Sequence, residues 1–316
     1  MRLDRLAALV ATVGPDGTSP VADAAAARWG LPPGTARYVR TSATCVYAAG
    51  GGYLRLVPAA ERPLREVLAV AAAGAALAGA GAPVVPSRPS RSGRWVEPVP
   101  SPAGDLYATY VDAAPGPAED PDESGFERLG GAIARLHRAG RTVGRSHMPA
   151  WPDVIRDVVR RAGDGEVAAA IEPVLRRCVG TLGPPTVLAH GDPQPDNAGW
   201  GAAGPILFDL DDLAVSWPVA DLAMAVRDAQ PIDALDTPVT RTTAGAALLR
   251  GYRSVAGGEP VQEWAVPLVQ RLSGAVTYAR LRIATEPGRA AEPGWLGALH
   301  DRLAATADRL RTALLG

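Results

Sequence analysis

The chain has 316 residues and a formal net charge of −1, with 32 basic residues against 33 acidic ones. That length allows one large domain or two modest ones, and the balance gives no electrostatic case for a nucleic-acid or anionic-membrane partner. Every basic residue is arginine; a P-loop lysine, a Schiff-base lysine and a lysine general base are excluded, and a cationic contact to phosphate has to come from arginine, a backbone amide or a metal.

Leu3, Leu6, Leu9, Val10 and Val13 fall at helical spacing, which predicts an amphipathic helix rather than a signal peptide. Residues 37–40, 45–48 and 53–57 read as strands, and Gly50-Gly51-Gly52 between the last two is a hairpin signal. Glu66 opens an alanine-rich helix that Gly79, Gly81 and Pro83 close. The uncharged stretch Val67 to Val85 reads as a buried helix followed by a strand, not as a membrane span. Residues 94–99 and 106–111 flank a turn at 101–105 and predict another hairpin. Asp112 to Pro121, rich in proline, small residues and acid, is the expected hinge, which divides the chain into 1–111, 112–121 and 122–316. Beyond it Phe126, Leu129, Ile133, Leu136 and His137 share one helical face, and further helices are expected near 151–163 and 166–180. Thr186 to Ala189 and Ile206 to Phe208 read as short buried strands around a turn at 200–204, and from Asp221 onward the pattern is helical. The class is α+β: a β-rich part first, mostly helix afterwards.

Cys45 and Cys178 cannot make a disulfide framework and read as buried thiols in a reducing cytosol; the four histidines show no zinc-type pairing. A cytoplasmic protein with neither a membrane nor a nucleic-acid partner is the expectation.

The chemistry lies in His190-Gly191-Asp192-Pro193-Gln194-Pro195-Asp196-Asn197, followed by Asp209. An aspartate directly after a buried strand, with an asparagine five residues on, puts a carboxylate and a carboxamide on one tight loop. A turn then returns the chain along a second strand that ends in another carboxylate. Such oxygen ligands suit Mg²⁺, which keeps waters and phosphate oxygens in its shell. A carboxylate not used for the metal can accept the proton of a hydroxyl that attacks a γ-phosphate.

From about Ala36 to about Ala225 the sequence resembles the aminoglycoside phosphotransferase family, through His190–Asn197, Leu207-Phe208-Asp209 and Asp221-Leu222-Ala223. The resemblance implies a two-lobed protein-kinase-like fold, with residues 1–111 as the nucleotide-binding lobe and 122–316 as the catalytic and substrate-binding lobe. It makes Asp192 the catalytic base, Asn197 and Asp209 the magnesium ligands, Asp221 a brace for the loop and His190 a loop anchor. It also implies a basic residue on the third strand for the α- and β-phosphates, a place held by Arg55, with Glu66 as its helix partner. Thr41, Ser42 and Thr44 would cover the phosphates, in place of a glycine-rich motif, and the backbone of Val111 to Ala113 would meet the base of ATP or GTP. Asp211 and Asp212 read as a solvated turn, with help to a second metal from one of them as the alternative.

The expected activity is Mg²⁺-dependent transfer of a nucleotide γ-phosphate to a hydroxylated small molecule, an antibiotic or a metabolite. Between Arg227 and Ala290 eight arginines outnumber six acids, which argues against a polycationic acceptor. Tryptophans 217, 264 and 295 read as core rather than as a binding wall. An aminoglycoside O-phosphotransferase is one alternative. A nucleotide-binding pseudokinase is another, although it would have lost a base or a metal ligand, and Asp192, Asn197 and Asp209 are all present.

Overall fold

Burial alternates along 45–49 and again along 52–56, and this period of two gives the sheet one dry face. The computed structural model describes residues 1–41, 44–117, 121–145, 147–257, 261–289 and 293–316. It contains two compact units: Met1–Ala75 with Val85–Ala113 and Ala284–Asp301, and Ala76–Val84 with Ala114–Ile283 and Arg302–Gly316.

The first unit begins with helices α1 (Leu3–Val10) and α2 (Pro20–Ala26), followed by strands β1 (Arg37–Thr41), β2 (Cys45–Ala49) and β3 (Gly52–Pro58). Helix α3 (Leu64–Gly79) and strands β4 (Glu97–Val99) and β5 (Leu106–Asp112) come next, α3 running on into the second unit. The five strands form one antiparallel sheet in the order β1-β2-β3-β5-β4. Ala49 pairs with Gly52, so the β2–β3 connection is a two-residue turn at Gly50-Gly51, both with positive φ as a type I′ turn requires.

Cys45, Tyr47, Leu54, Leu56, Ala108 and Tyr110 form the dry face and pack on Leu9, Val21, Ala22, Ala25 and Trp29. Burying Leu54 or Leu56 contributes about 2 kcal/mol each. The sheet was expected with one large helix; α2 and Trp29 are additional cover, which a short alanine-rich stretch does not announce. The opposite face carries Val46, Arg55 and Thr109 in one register row and Ala48, Tyr53 and Val111 in the next. Where a strand was expected after α3, only a bridge from Val84 to Leu207 forms.

The second unit contains α4 (Glu123–Thr142), α5 (Trp151–Arg161), α6 (Gly165–Leu182), strands β6 (Val187–Ala189), β7 (Ala198–Gly201), β8 (Gly204–Leu207) and β9 (Ala214–Ser216), then α7 (Pro218–Ala225), α8 (Thr243–Ala256) and α9 (Val266–Thr285). The last helix, α10 (Gly294–Leu315), begins in the first unit and ends in the second. β6 pairs with β9, while β7 and β8 form their own hairpin. Helices α4 and α8 touch backbone to backbone. A Cβ on Gly130 would lie 2.0 Å from the Leu248 carbonyl oxygen, and one on Gly251 would lie 1.8 Å from that of Glu127, so neither position admits a side chain without separating the helices.

No helix among the described residues is long and apolar enough to cross a membrane.

Asp164 caps α6, accepting from the amides of Glu166 and Val167 at 3.1 and 3.2 Å. The same carboxylate accepts from Tyr278 Oη at 2.5 Å and Arg311 Nε at 2.7 Å, tying α9 and α10 to α6. Burial alone would raise its pKa, but the bonds from Arg311 and Tyr278 outweigh burial and hold the carboxyl well below the usual range. A depressed folded-state pKa gives stability that is present above the unfolded value of about 3.9 and is lost as pH falls toward the folded one. Asp164→Asn should therefore cost about 2 kcal/mol at pH 7 in urea unfolding, and the gap to wild type should narrow at pH 3.5. A gap that is constant with pH would show that the carboxylate's charge is not the source.

Candidate active site

β6 is buried throughout and delivers the chain into His190-Gly191-Asp192. The amides of His190 and Gly191 leave the sheet and need acceptors. Both find them in Asp221, on the first turn of α7: His190 N donates to Oδ2 and Gly191 N to Oδ1, each at 2.8 Å. Asp221 is 1% exposed and also contacts His137 Nε2 at 2.8 Å. Burial opposes its charge, but the bond and charge of His137, with the amide of Gly191, keep the carboxyl below the ordinary range. His137 Nδ1 in turn lies 3.0 Å from Tyr252 Oη on α8.

His190 has both ring nitrogens occupied. Nε2 faces the Phe208 carbonyl at 2.9 Å, so it carries the proton, and Nδ1 accepts from Asp192 N at 3.3 Å. The ring thus joins the loop to the residue before Asp209. Asn197 ends the turn Pro195–Asn197 and donates its Nδ2 to the Asp192 carbonyl at 2.9 Å and to Asp192 Oδ2 at 3.3 Å. Its backbone carbonyl accepts from Phe208 N at 2.9 Å, which fastens the two halves of the motif a second time. Asp209 follows in the left-handed region, φ 62°, and is the one non-glycine residue with positive φ among the described residues. A residue held there at a cost of about 1 kcal/mol or more is characteristic of a working site.

Asp192 Oδ1 is buried and accepts no hydrogen bond, although Arg227 Nη1 stands 3.2 Å away. The separation gives Coulomb attraction without hydrogen-bond geometry. Burial pushes the Asp192 carboxyl up, Arg227 pulls it down, and Asp212 and Asp209 add to the upward push. Asp212, in the turn expected to be solvated, keeps a third of its side chain exposed and is gripped by Arg280 with two hydrogen bonds, at 2.9 and 2.6 Å. Its backbone also packs on Gly191, where a Cβ would come 2.3 Å from the Asp212 carbonyl oxygen.

The residues expected to bind nucleotide lie in the first unit. Arg55 Nη2 reaches Thr44 Oγ1 at 3.5 Å, so these two come together. Thr41 Oγ1 is engaged within the strands, with Cys45 Sγ at 3.2 Å and Tyr38 Oη at 3.0 Å. Ser42 lies outside the described residues, as do residues 118–120 of the expected hinge. Glu66 is matched with Arg62 and Arg65, at 4.0 and 3.9 Å, in the ion pairs found among the described residues. Val111 pairs with Tyr53, and the Ala113 amide, expected to face a nucleotide base, donates to the Gly51 carbonyl at 3.2 Å.

Sequence reasoning did not single out Gln194, Arg227, Asp228 or the bond of His137 to Asp221. Gln194 fills a variable position of the loop motif, and Arg227 entered only a charge count. The available signal was spacing, since Arg227 stands just past the end of the helix that carries Asp221. The donor set is two carboxylates and a carboxamide; no group of three His, Cys, Asp or Glu side chains suited to a metal occurs among the described residues.

Residues 45–264 match the phosphotransferase enzyme family. No curated protein sequence matches the chain. Among solved structures, an amicoumacin kinase in complex with AMP-PNP and Ca²⁺ aligns with a TM-score of 0.68 at 18% identity, over 90% of this chain and 91% of that one. A microcompartment-associated aminopropanol kinase aligns at 0.65 and 18%, over 93% and 98%. An aminoglycoside phosphotransferase from Streptomyces rimosus aligns at 0.55 and 17%, over 85% and 98%. The α+β architecture is the protein-kinase-like one of these structures, and by its match over residues 45–264 the chain belongs to the phosphotransferase enzyme family.

Proposed function

We propose that this O-phosphotransferase moves the γ-phosphoryl group of ATP or GTP to a hydroxyl of a small molecule, with Asp192 as the base. The observation that carries the reading is Asp192 Oδ1: a buried carboxylate oxygen with no hydrogen bond, on a loop whose backbone is fixed by Asp221 and His190. Its lone pair suits the proton of an attacking hydroxyl. Asn197, whose amide nitrogen is committed to Asp192, offers its carbonyl oxygen, and Asp209 a carboxylate; with phosphate and water this donor set fits Mg²⁺. Bound there, the cation would neutralise charge on the phosphate oxygens. Arg55 and Thr44 serve the α- and β-phosphates, and His190 and Asp221 hold the loop.

The acceptor follows from local charge. The carboxylates of Asp192, Asp209, Asp211, Asp212 and Asp228 lie around Arg227 and Arg280. A lobe-wide surplus of arginine therefore does not describe this site, since four of these acids precede residue 227. The local excess favours, as a second reading, an acceptor with a single amine beside its hydroxyl, as an aminopropanol has.

The test is incubation with ATP or GTP, Mg²⁺ and a panel spanning neutral, anionic, amino-alcohol and aminoglycoside hydroxyls, with product followed by mass. Asp192→Ala should lower kcat by several orders of magnitude while nucleotide affinity stays nearly constant; an active variant removes Asp192 as base. Asn197→Ala and Asp209→Ala should raise the Mg²⁺ concentration for half-maximal rate by at least about tenfold. Unchanged metal titrations would remove both from the ligand set.

A further inference from the structure

Two arginines stand beside these carboxylates and are used differently. Arg280 closes its fork on Asp212. Arg227 makes a single hydrogen bond among the described residues, from Nη2 to the amide oxygen of Gln194 at 2.5 Å. Toward carboxylates it has Coulomb contacts only, 3.2 Å from Nη1 to Asp192 Oδ1 and 3.6 Å from Nε to Asp228 Oδ1. Gln194 is buried, and its Nε2 donates to Asp228 Oδ2 at 2.8 Å. A neutral amide, steadied at its other end by a carboxylate, thus aims the guanidinium. Most of the guanidinium's N–H donors remain for another anion, and at 39% exposure the side chain stays accessible.

The chemistry names that anion. A hydroxyl giving its proton to Asp192 Oδ1 sits about 2.7 Å from it, and the phosphorus it attacks stands about 3–3.5 Å further on. A cation 3.2 Å from the same Oδ1 is then a neighbour of the phosphoryl oxygens. We propose that Arg227 is a catalytic residue that contacts the transferred phosphoryl group and offsets the charge on its non-bridging oxygens; this rests on the reading of Asp192 as base. In the step, the hydroxyl oxygen bonds to the γ-phosphorus and its proton passes to Asp192. The bond from that phosphorus to the β,γ-bridging oxygen breaks, and its electron pair leaves on the nucleoside diphosphate. Arg227 exchanges no proton, since a guanidinium does not titrate in this range. Gln194 and Asp228 are positioning residues that act through it.

The variants are Arg227→Met, Arg227→Lys and Gln194→Leu, assayed with the best acceptor of the panel, or with water as slow nucleotide hydrolysis. Arg227→Met should lose about 10²-fold or more in kcat, while AMP-PNP affinity and the unfolding midpoint stay near wild type. Trapping of Mg·ADP with aluminium fluoride, a mimic of the phosphoryl group in flight, should weaken by a similar factor. Arg227→Lys should retain part of the rate, and Gln194→Leu should lose less than Arg227→Met, because the charge remains and only its aim is lost. A wild-type crystal structure with Mg·ADP and aluminium fluoride should place an Arg227 nitrogen within hydrogen-bond distance of a fluoride. Near-wild-type turnover by Arg227→Met, AMP-PNP affinity falling as far as kcat, or an Arg227 turned away from the fluoride would each overturn the role. Asp192→Ala separates the two ideas: if it is active the base reading fails, and if it is dead while Arg227→Met works, only Arg227's part fails.

Discussion

Asp221 is a charged group almost sealed from water, and the loop that follows β6 is arranged around it. A carboxylate in such a place costs several kcal/mol unless strong donors surround it, and removing one partner of a buried charge typically costs about 3–5 kcal/mol. Its donors are two successive backbone amides and one imidazole, so the carboxylate fixes the path of the chain at His190-Gly191 and hence the departure point of Asp192. The imidazole is set by Tyr252 on α8, and α8 can approach α4 only because Gly130 and Gly251 carry no Cβ. A methyl group at either glycine would therefore act on the loop from a distance, through His137 and Asp221.

Strands and long helices were legible because their signals are local. The period-two burial of β2 and β3, the glycine turn between them and the apolar face of α4 each lie within one short window. The loop motif was legible for a related reason: Asp192 and Asn197 interact across five residues, and a turn keeps such neighbours together. Partners far apart in sequence were not. His137 meets Asp221 across 84 residues and Arg280 meets Asp212 across 68, and no spacing rule links them. The same holds for β9, a three-residue strand that pairs with β6 only because the intervening chain brings it back. The partner of Asp212 was missed because Arg280 lies on a helix that the sequence shows only as helix.

Net charge suffered from averaging. A lobe-wide count weights every arginine equally, yet Arg250, Arg253 and Arg271 are spent on surface acids and contribute little at a distance in salt water. What acts on Asp192 is set by the few groups within a Debye length, among them Arg227, Asp212, His190 and Asp209.

The absence of lysine sharpens that distinction. A lysine is a flexible point charge that reaches phosphate by bending its stem, whereas arginine brings a planar fork that works only when something aims it. An aiming carboxylate that closes on the fork consumes both charge and donors, as Asp212 does to Arg280 and Asp164 and Glu166 do to Arg311. An aiming amide consumes a single N–H and no charge, as Gln194 does to Arg227. In a lysine-free chain the holder of each arginine therefore separates those that carry structure from those free to meet an anion. Gln194 makes Arg227 one of the latter, beside a buried carboxylate oxygen of the loop that has no hydrogen bond.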